Sequence, residues 1–199
     1  MNGVAALAGN PNCGKTTLFN ALTGSHQYVG NWPGVTVEKR EAIFDVNDAQ
    51  ITLIDLPGAY SLTPYSIEER VTADYLAGGE AGAVINIVDA MHLERSLLLT
   101  LQLLNRRLPV IVAINMMDEL AREGGKIDIA ALSNALGCPV VAISARRKTG
   151  FDELFSALYE KIAHPAESPA APAADEDEEA IYQHVSALLR AAGYEKRSG

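Results

Sequence analysis

Cysteine is scarce: Cys13 and Cys138 are the two in 199 residues. Two cysteines do not make a disulfide framework. A bridge through Cys13 would also distort the glycine-rich loop in which it lies, so a reducing compartment is expected. Positive charge is in deficit, with 16 Lys and Arg against 25 Asp and Glu and a net charge of −9. That balance argues against a nucleic-acid partner. Long apolar runs are missing. The longest, near Val84–Val88 and Leu108–Ile114, fall far short of the roughly 20 residues that cross a bilayer. No signal peptide is expected, because the first stretch is needed as a strand. The chain as given therefore reads as soluble. Metal-ligand spacing is absent among the histidines, His26, His92, His164 and His184, so nothing supports an iron centre here.

What is present is a hydrophobic content of 48%, enough for a core, and one loop around which the rest is arranged. Gly9-Asn10-Pro11-Asn12-Cys13-Gly14-Lys15-Thr16 fits the phosphate-binding pattern G-x-x-x-x-G-K-[ST]. Val4–Ala8 before it reads as a buried strand. Leu18, Phe19 and Leu22 after it carry helical spacing, with Gly24 as C-cap. The glycines allow successive amide N–H groups to surround an anion, and the helix N-terminus adds partial positive charge. Lys15 would reach the β- and γ-phosphates, and the Thr16 hydroxyl would hold Mg²⁺.

Along the chain, residues 25–36 show no period and read as a loop. Val37–Val46 reads as a strand whose charges, Glu38 to Glu41, suit a sheet edge. Asn47-Asp48-Ala49 turns it into Gln50–Ile54, as an antiparallel hairpin. Ser66 with Glu69 forms a capping box for a helix from Ile67. Strands at Ala83–Val88, Val110–Ile114 and Val140–Ile143 then alternate with helices marked by Leu93, Leu97, Leu98, Leu101 and Leu104, by Ile129, Leu132 and Leu136, and by Leu154, Phe155, Leu158 and Ile162. The expected fold is α/β, with six strands in a mostly parallel sheet, one antiparallel edge strand and about five helices. A Pro/Ala/Ser-rich linker is expected at 164–174. Beyond the acidic run Asp175–Glu179, the stripe Ile181, Val185, Leu188, Leu189 and Ala192 marks a last helix that needs a partner. Arg190, Lys196 and Arg197 complement its dipole.

Ligands of open α/β sheets bind outside the carboxyl ends of the strands. Asp55-Leu56-Pro57-Gly58 stands at the third such end, where the acid can hold Mg²⁺ through water and the Gly58 amide can meet a γ-phosphate. Asn115-Met116-Met117-Asp118 stands at the fifth. Asp118 can accept from guanine N1–H and N2, a donor pair that adenine lacks, while Asn115 would tie this loop to the phosphate loop. Ser144-Ala145-Arg146 stands at the sixth, with a backbone amide in reach of guanine O6. The acids Glu68 and Glu69 with Arg70 read as a solvated helix face.

These residues resemble the small-GTPase superfamily across roughly 1–163. More narrowly, Gly9–Asn20, Val29–Glu38, Asp55–Leu62 and Asn115–Asp118 resemble the G domain of the FeoB family of bacterial ferrous-iron transporters. The resemblance implies a P-loop GTPase fold, then a helical domain that slows GDP release, cut short here at 175–199, then a membrane permease absent from this chain. It implies that GTP or GDP is held by Gly9, Asn10, Pro11, Asn12, Cys13, Gly14, Lys15, Thr16 and Thr17, by Pro33, Gly34, Val35, Thr36 and Val37, and by the three strand-end motifs. Thr36 would complete the Mg²⁺ shell with Thr16 and Asp55. Asn12, with carbonyls of Gly30–Trp32, would hold a K⁺ ion that supports hydrolysis. Lys15, Asn12, Thr36 and Gly58 are thus the expected catalytic set. Ala59 stands where many GTPases carry a water-orienting glutamine, so slow turnover is expected. Met116 replaces a common lysine, and its stem can still lie on the base. A cytoplasmic membrane-face location, small cytosolic transporter subunits as partners and a homo-oligomer are further expectations. The alternatives of the same fold are a ribosome-associated RNA-binding GTPase, a binding switch without hydrolysis, and an ATPase.

Overall fold

The computed structural model describes residues 2–24, 27–164 and 178–195. The linker after His164, the acids 175–177, His26, Lys196 and Arg197 lie outside them. Among the described residues a seven-stranded sheet runs in the order β2-β3-β4-β1-β5-β6-β7. Its strands are β1 (Asn2–Gly9), β2 (Gln27–Asn31), β3 (Glu38–Val46), β4 (Ala49–Asp55), β5 (Ala83–Asp89), β6 (Val110–Asn115) and β7 (Val140–Ala142). β1 lies at the centre, parallel to β4 and β5. β6 and β7 continue the parallel set, and β3 alone is reversed, antiparallel to both β2 and β4.

The helices are α1 (Lys15–Thr23), α2 (Ile67–Ala77), α3 (Leu93–Asn105), α4 (Met117–Arg122), α5 (Ile129–Leu136), α6 (Phe151–Ala163) and α7 (Glu178–Ala191). One face of the sheet is covered by Leu18 and Phe19 of α1 with Leu154 and Leu158 of α6. The other carries Leu76 of α2, the leucines of α3 and the buried residues of α5 and α7. Both faces being covered explains why β5 and β6 read as continuous apolar runs.

Three expectations are corrected. The stretch 25–36 is not all loop, since β2 pairs with β3 from Gln27↔Ala42 to Asn31↔Glu38. Its side chains are half-buried or exposed, so no alternation betrayed it. β3 is therefore interior to the sheet, and its charges are partly answered along the strand by Lys39–Glu41 at 2.8 Å and by Arg40–Glu38. α4 was not anticipated, because it is six residues long and buries only Leu120.

The last helix finds its partner within the described chain. Ile181, Val185, Leu188, Leu189 and Ala192 are buried, against α3 and α5. α3 thus lies between the sheet and α7, which is why Leu97, Leu99, Leu101, Leu103 and Leu104 are all buried rather than a single stripe. The Tyr194 hydroxyl donates to Ala90 O at 2.9 Å, and Lys126 and Glu195 exchange backbone hydrogen bonds at 2.9 Å. No helix among the described residues is long and apolar enough to cross a membrane.

Candidate functional site

The chain leaves β1 at Gly9 and enters α1 at Lys15 with Gly14 left-handed at φ 91° and no side chain capping the helix. The N-cap glycine offers the α1 amides no side-chain acceptor. Gly9 is obligatory by proximity, as a Cβ there would sit 2.6 Å from Ile87 O. Gly14 is obligatory twice: beyond its positive φ, a Cβ would meet Asn115 Nδ2 at 2.2 Å. Asn12 is also left-handed, at φ 66°. The loop opens on a cleft of about 670 Å³ lined by Asn10, Pro11, Asn12, Gly14, Lys15, Thr16, Thr17, Gly58, Glu68 and Met116. A helix N-terminus beside a lysine is suited to an anion.

A second recess of about 190 Å³ adjoins it, lined by Lys15, Thr16, Glu38, Arg40, Asp55, Leu56 and Pro57. The Lys15 ammonium donates to Asp55 Oδ1. Burial pushes the Asp55 carboxyl above its ordinary range, with the Lys15 charge and hydrogen bond pulling the other way. The loop after Asp55 is fastened to β1, with Leu56 N–H on Leu7 O at 3.0 Å and Ala59 N–H on Gly9 O at 3.1 Å. Gly58 sits against the phosphate loop, and a Cβ there would come within 3.1–3.3 Å of Pro11. Ala59 is buried, so it offers nothing to the cleft.

Asn115 joins three segments. Its Nδ2 donates to Cys13 O at 3.0 Å, and its Oδ1 accepts from Ala145 N–H at 2.9 Å. The expected tie to the phosphate loop is thus present, and the bond to Ala145 adds a second tie that spacing alone did not reveal. Met116, left-handed at φ 64°, turns the chain so that it lines the cleft and Asp118 opens α4. Burial opposes ionisation of Asp118, but the Ser144 hydroxyl, its own amide and the Arg147 and Arg146 charges outweigh it and hold the carboxyl below the ordinary range. Arg147 Nε lies 3.0 Å from Asp118 Oδ2.

The residues expected at the first, third and fifth strand ends are therefore brought together with Ser144 and Ala145. The segment 33–37 is not. Thr36 is exposed and lines neither recess. Trp32 N–H donates to Val37 O at 2.9 Å, which closes the turn on itself. The Trp32 ring packs edge-on against Tyr75, and Val35 and Val37 lean on the core. Ser66 caps α2 by accepting from Glu69 N–H at 3.1 Å, but the reciprocal half of the box is missing. The Glu69 carboxylate instead accepts from Tyr60 N–H at 3.2 Å and Tyr65 N–H at 3.0 Å. Sequence reasoning missed Glu68, Glu38, Arg40 and Arg147 as neighbours of the site. Glu38 ends the Val29–Glu38 segment and Arg147 follows Ser144-Ala145-Arg146, but their approach to the site is decided by the folding of distant segments.

Residues 4–158 match the family described as ferrous iron transport protein B. The chain belongs to that family. The FeoB relatives extend the match. The Salmonella choleraesuis Fe(2+) transporter FeoB is 46% identical over 192 residues, covering 94% of this chain and 23% of its own length. The Escherichia coli Fe(2+) transporter FeoB is 52% identical over 156 residues, covering 76% of this chain and 20% of its own. This chain thus spans about a fifth of those relatives. Among solved structures, the cytosolic domain of L. pneumophila FeoB superposes with a TM-score of 0.87 at 34% identity, covering 98% of this chain and 100% of that one. A mutant S. thermophilus NFeoB bound to GDP gives 0.80 at 46% identity, covering 89% of this chain and 68% of that one. The fold is the FeoB G-domain fold, with seven strands where six were expected.

Proposed function

We propose that this chain is the GTP-binding and GTP-hydrolysing switch domain of a ferrous-iron transporter, at the cytoplasmic face of the membrane. The observation that carries the reading is Asn115, whose one amide group fastens the phosphate loop and the Ala145 loop together. A cradle for phosphate is thereby held at fixed distance from a carboxylate suited to guanine. Gly9, Asn10, Pro11, Asn12, Cys13, Gly14, Lys15, Thr16 and Thr17 bind the phosphates. Asp118, Met116 and the Arg146 amide bind the base, with Asn115, Met117, Ser144 and Ala145 shaping that pocket.

The residues fit Mg²⁺: Thr16 and Asp55 share one recess, and Thr36 joins them when the 33–37 turn opens toward triphosphate. They also fit K⁺ at Asn12, which lines the phosphate cleft. When bound, these cations offset charge building on the phosphates. The protein's own share of the reaction is positional. Lys15 exchanges Asp55 for the β- and γ-phosphate oxygens, the loop amides and the Gly58 amide face the charge that develops, and water attacks the γ-phosphorus in line as its bond to the β–γ bridging oxygen breaks and GDP leaves. No side chain at Ala59 orients that water, so turnover is slow. Release of phosphate frees the segments 25–38 and 56–70, and that difference is what reaches a neighbour. A permease on the same polypeptide is that neighbour, small cytosolic subunits and a second copy being further partners. The G domain spans 1–163, and α7 begins a helical segment docked on α3 and α5.

Calorimetry with Mg²⁺ present tests the reading: GDP and GTP bind, ATP does not, and Asp118→Ala abolishes the preference. Equal affinity for adenine and guanine nucleotides would overturn it. Phosphate release is expected to be faster in K⁺ than in Na⁺. Equal rates would remove the role given to Asn12.

A further inference from the structure

Arg147 directly follows the Ser144-Ala145-Arg146 motif, and its partner is the carboxylate proposed to read the base. Its Nε lies 3.0 Å from Asp118 Oδ2. Asp118 is only 15% exposed, whereas Arg147 is 66% exposed, so the contact stands at the mouth of the base pocket. The backbone that carries Arg147 is held firmly. Ser144 and Thr149 exchange backbone hydrogen bonds at 3.2 Å, Arg147 N–H donates to the Ser144 hydroxyl at 3.3 Å, and Ala145 is fixed through Asn115. Gly150, at φ 76°, anchors the far end, since a Cβ there would strike Ala142 O at 2.1 Å. The loop therefore keeps the guanidinium within reach of Asp118.

The chemistry of the contact is specific. The guanine edge that a carboxylate recognises, N1–H with the 2-amino group on one carbon, is itself a guanidine. An arginine head presents the same planar donors to the same acceptor. We propose that Arg147 is a tethered competitor for guanine: its guanidinium holds Asp118, and the incoming base must displace it. The inference rests on the guanine reading above and adds to it a residue that tunes nucleotide capture. In this role Arg147 aligns Asp118 while it lowers net affinity. Because the arginine is largely in solvent, the pair is weak, and the competition is worth about two- to fivefold. An arginine buried against Asp118 would close the pocket altogether.

The test uses this chain and fluorescent mant-GDP in stopped flow. Arg147→Ala is expected to bind about two- to fivefold more tightly, with faster association. Arg147→Lys, which keeps the charge but not the planar fork, should fall between it and the parent. Unchanged or weaker binding by Arg147→Ala would overturn the proposal, since that is what a bystander or a base-stacking residue gives. A second arm uses Asp118→Asn with xanthosine diphosphate. There Arg147→Ala should have no effect, because the carboxylate it competes for is gone; a gain as large as in the parent would refute the competition. If Asp118→Asn leaves the preference for GDP over xanthosine diphosphate intact, the guanine reading itself fails, whatever Arg147 does. A third measurement needs no substitution. The Arg147 Nε–H resonance should move on adding GDP, and a signal that stays fixed while GDP binds would also refute displacement.

Discussion

Cys13 shows how a residue inside a binding loop can be chemically silent. Burial pushes its thiol up to about 11, against the opposing pull of the Lys15 amide and charge. Burial likewise pushes Cys138 up to about 12. A thiol reagent at mildly alkaline pH should therefore leave both cysteines of the native chain unlabelled and modify both once it is denatured, because only the thiolate reacts. Rapid labelling of the native protein would contradict that burial. The two site carboxylates carry opposite signs with pH. Asp118 is held below its ordinary range, so its contribution to stability is present above the unfolded-state pKa and is lost as pH falls through the folded value. Asp55 is raised, mainly by burial, so its contribution to stability is fully present below the unfolded-state pKa and is lost as pH rises through the folded value. Chemical denaturation of Asp118→Asn and the parent at neutral pH and in mild acid checks the first statement: the parent's advantage should shrink on acidification.

Helix α2 shows how far a local pattern reaches. Ser66 and Glu69 were legible as a helix start, and Ser66 does cap the helix. The destination of the Glu69 carboxylate was not legible, because it serves Tyr60 and Tyr65 across a loop rather than its own cap. The same loop is pinned from α3, where Gln102 Oε1 accepts from Leu62 N–H at 2.7 Å and Arg106 donates to Leu62 O at 3.2 Å. Ser66→Ala should cost about 1 kcal/mol, the usual worth of such a cap. Glu69→Ala should instead show itself locally, as faster amide exchange over residues 60–65 with the sheet unaffected. If exchange at 60–65 does not change, the carboxylate does not hold that loop. β2 marks the opposite limit, an element with no hydrophobic alternation that exists because β3 offers it a ladder.

At the scale of the whole molecule, the packing of α7 decides what one side of α3 does. The α3 leucines beyond the expected stripe are buried because α7 lies over them. Leu189, 5% exposed within this second layer, tests the arrangement. Leu189→Ala is expected to cost about 2–5 kcal/mol, as for other buried leucines. In urea this would appear as a lower midpoint with an unchanged slope. A cost within a few tenths of a kcal/mol would mean that α7 is not part of the cooperative core. The hydrogen bond from Tyr194 to Ala90 O extends the same contact to the turn after β5, and the Lys126↔Glu195 bridge extends it to the loop that follows α4. The end of the described chain is thus joined to the side of the fold where the base is proposed to bind.

The sequence by itself determined the phosphate loop, the strand-end motifs and the alternation that makes a parallel sheet. Those features are local, since a glycine that must be left-handed or an apolar run that must be buried is written in adjacent residues. The tertiary structure alone decided where β2 pairs, that β3 lies inside the sheet, which helix covers α3, and that Arg147 meets Asp118. These outcomes depend on which distant segments compete for the same hydrogen bonds and the same buried surface, and no window of neighbouring residues carries that information.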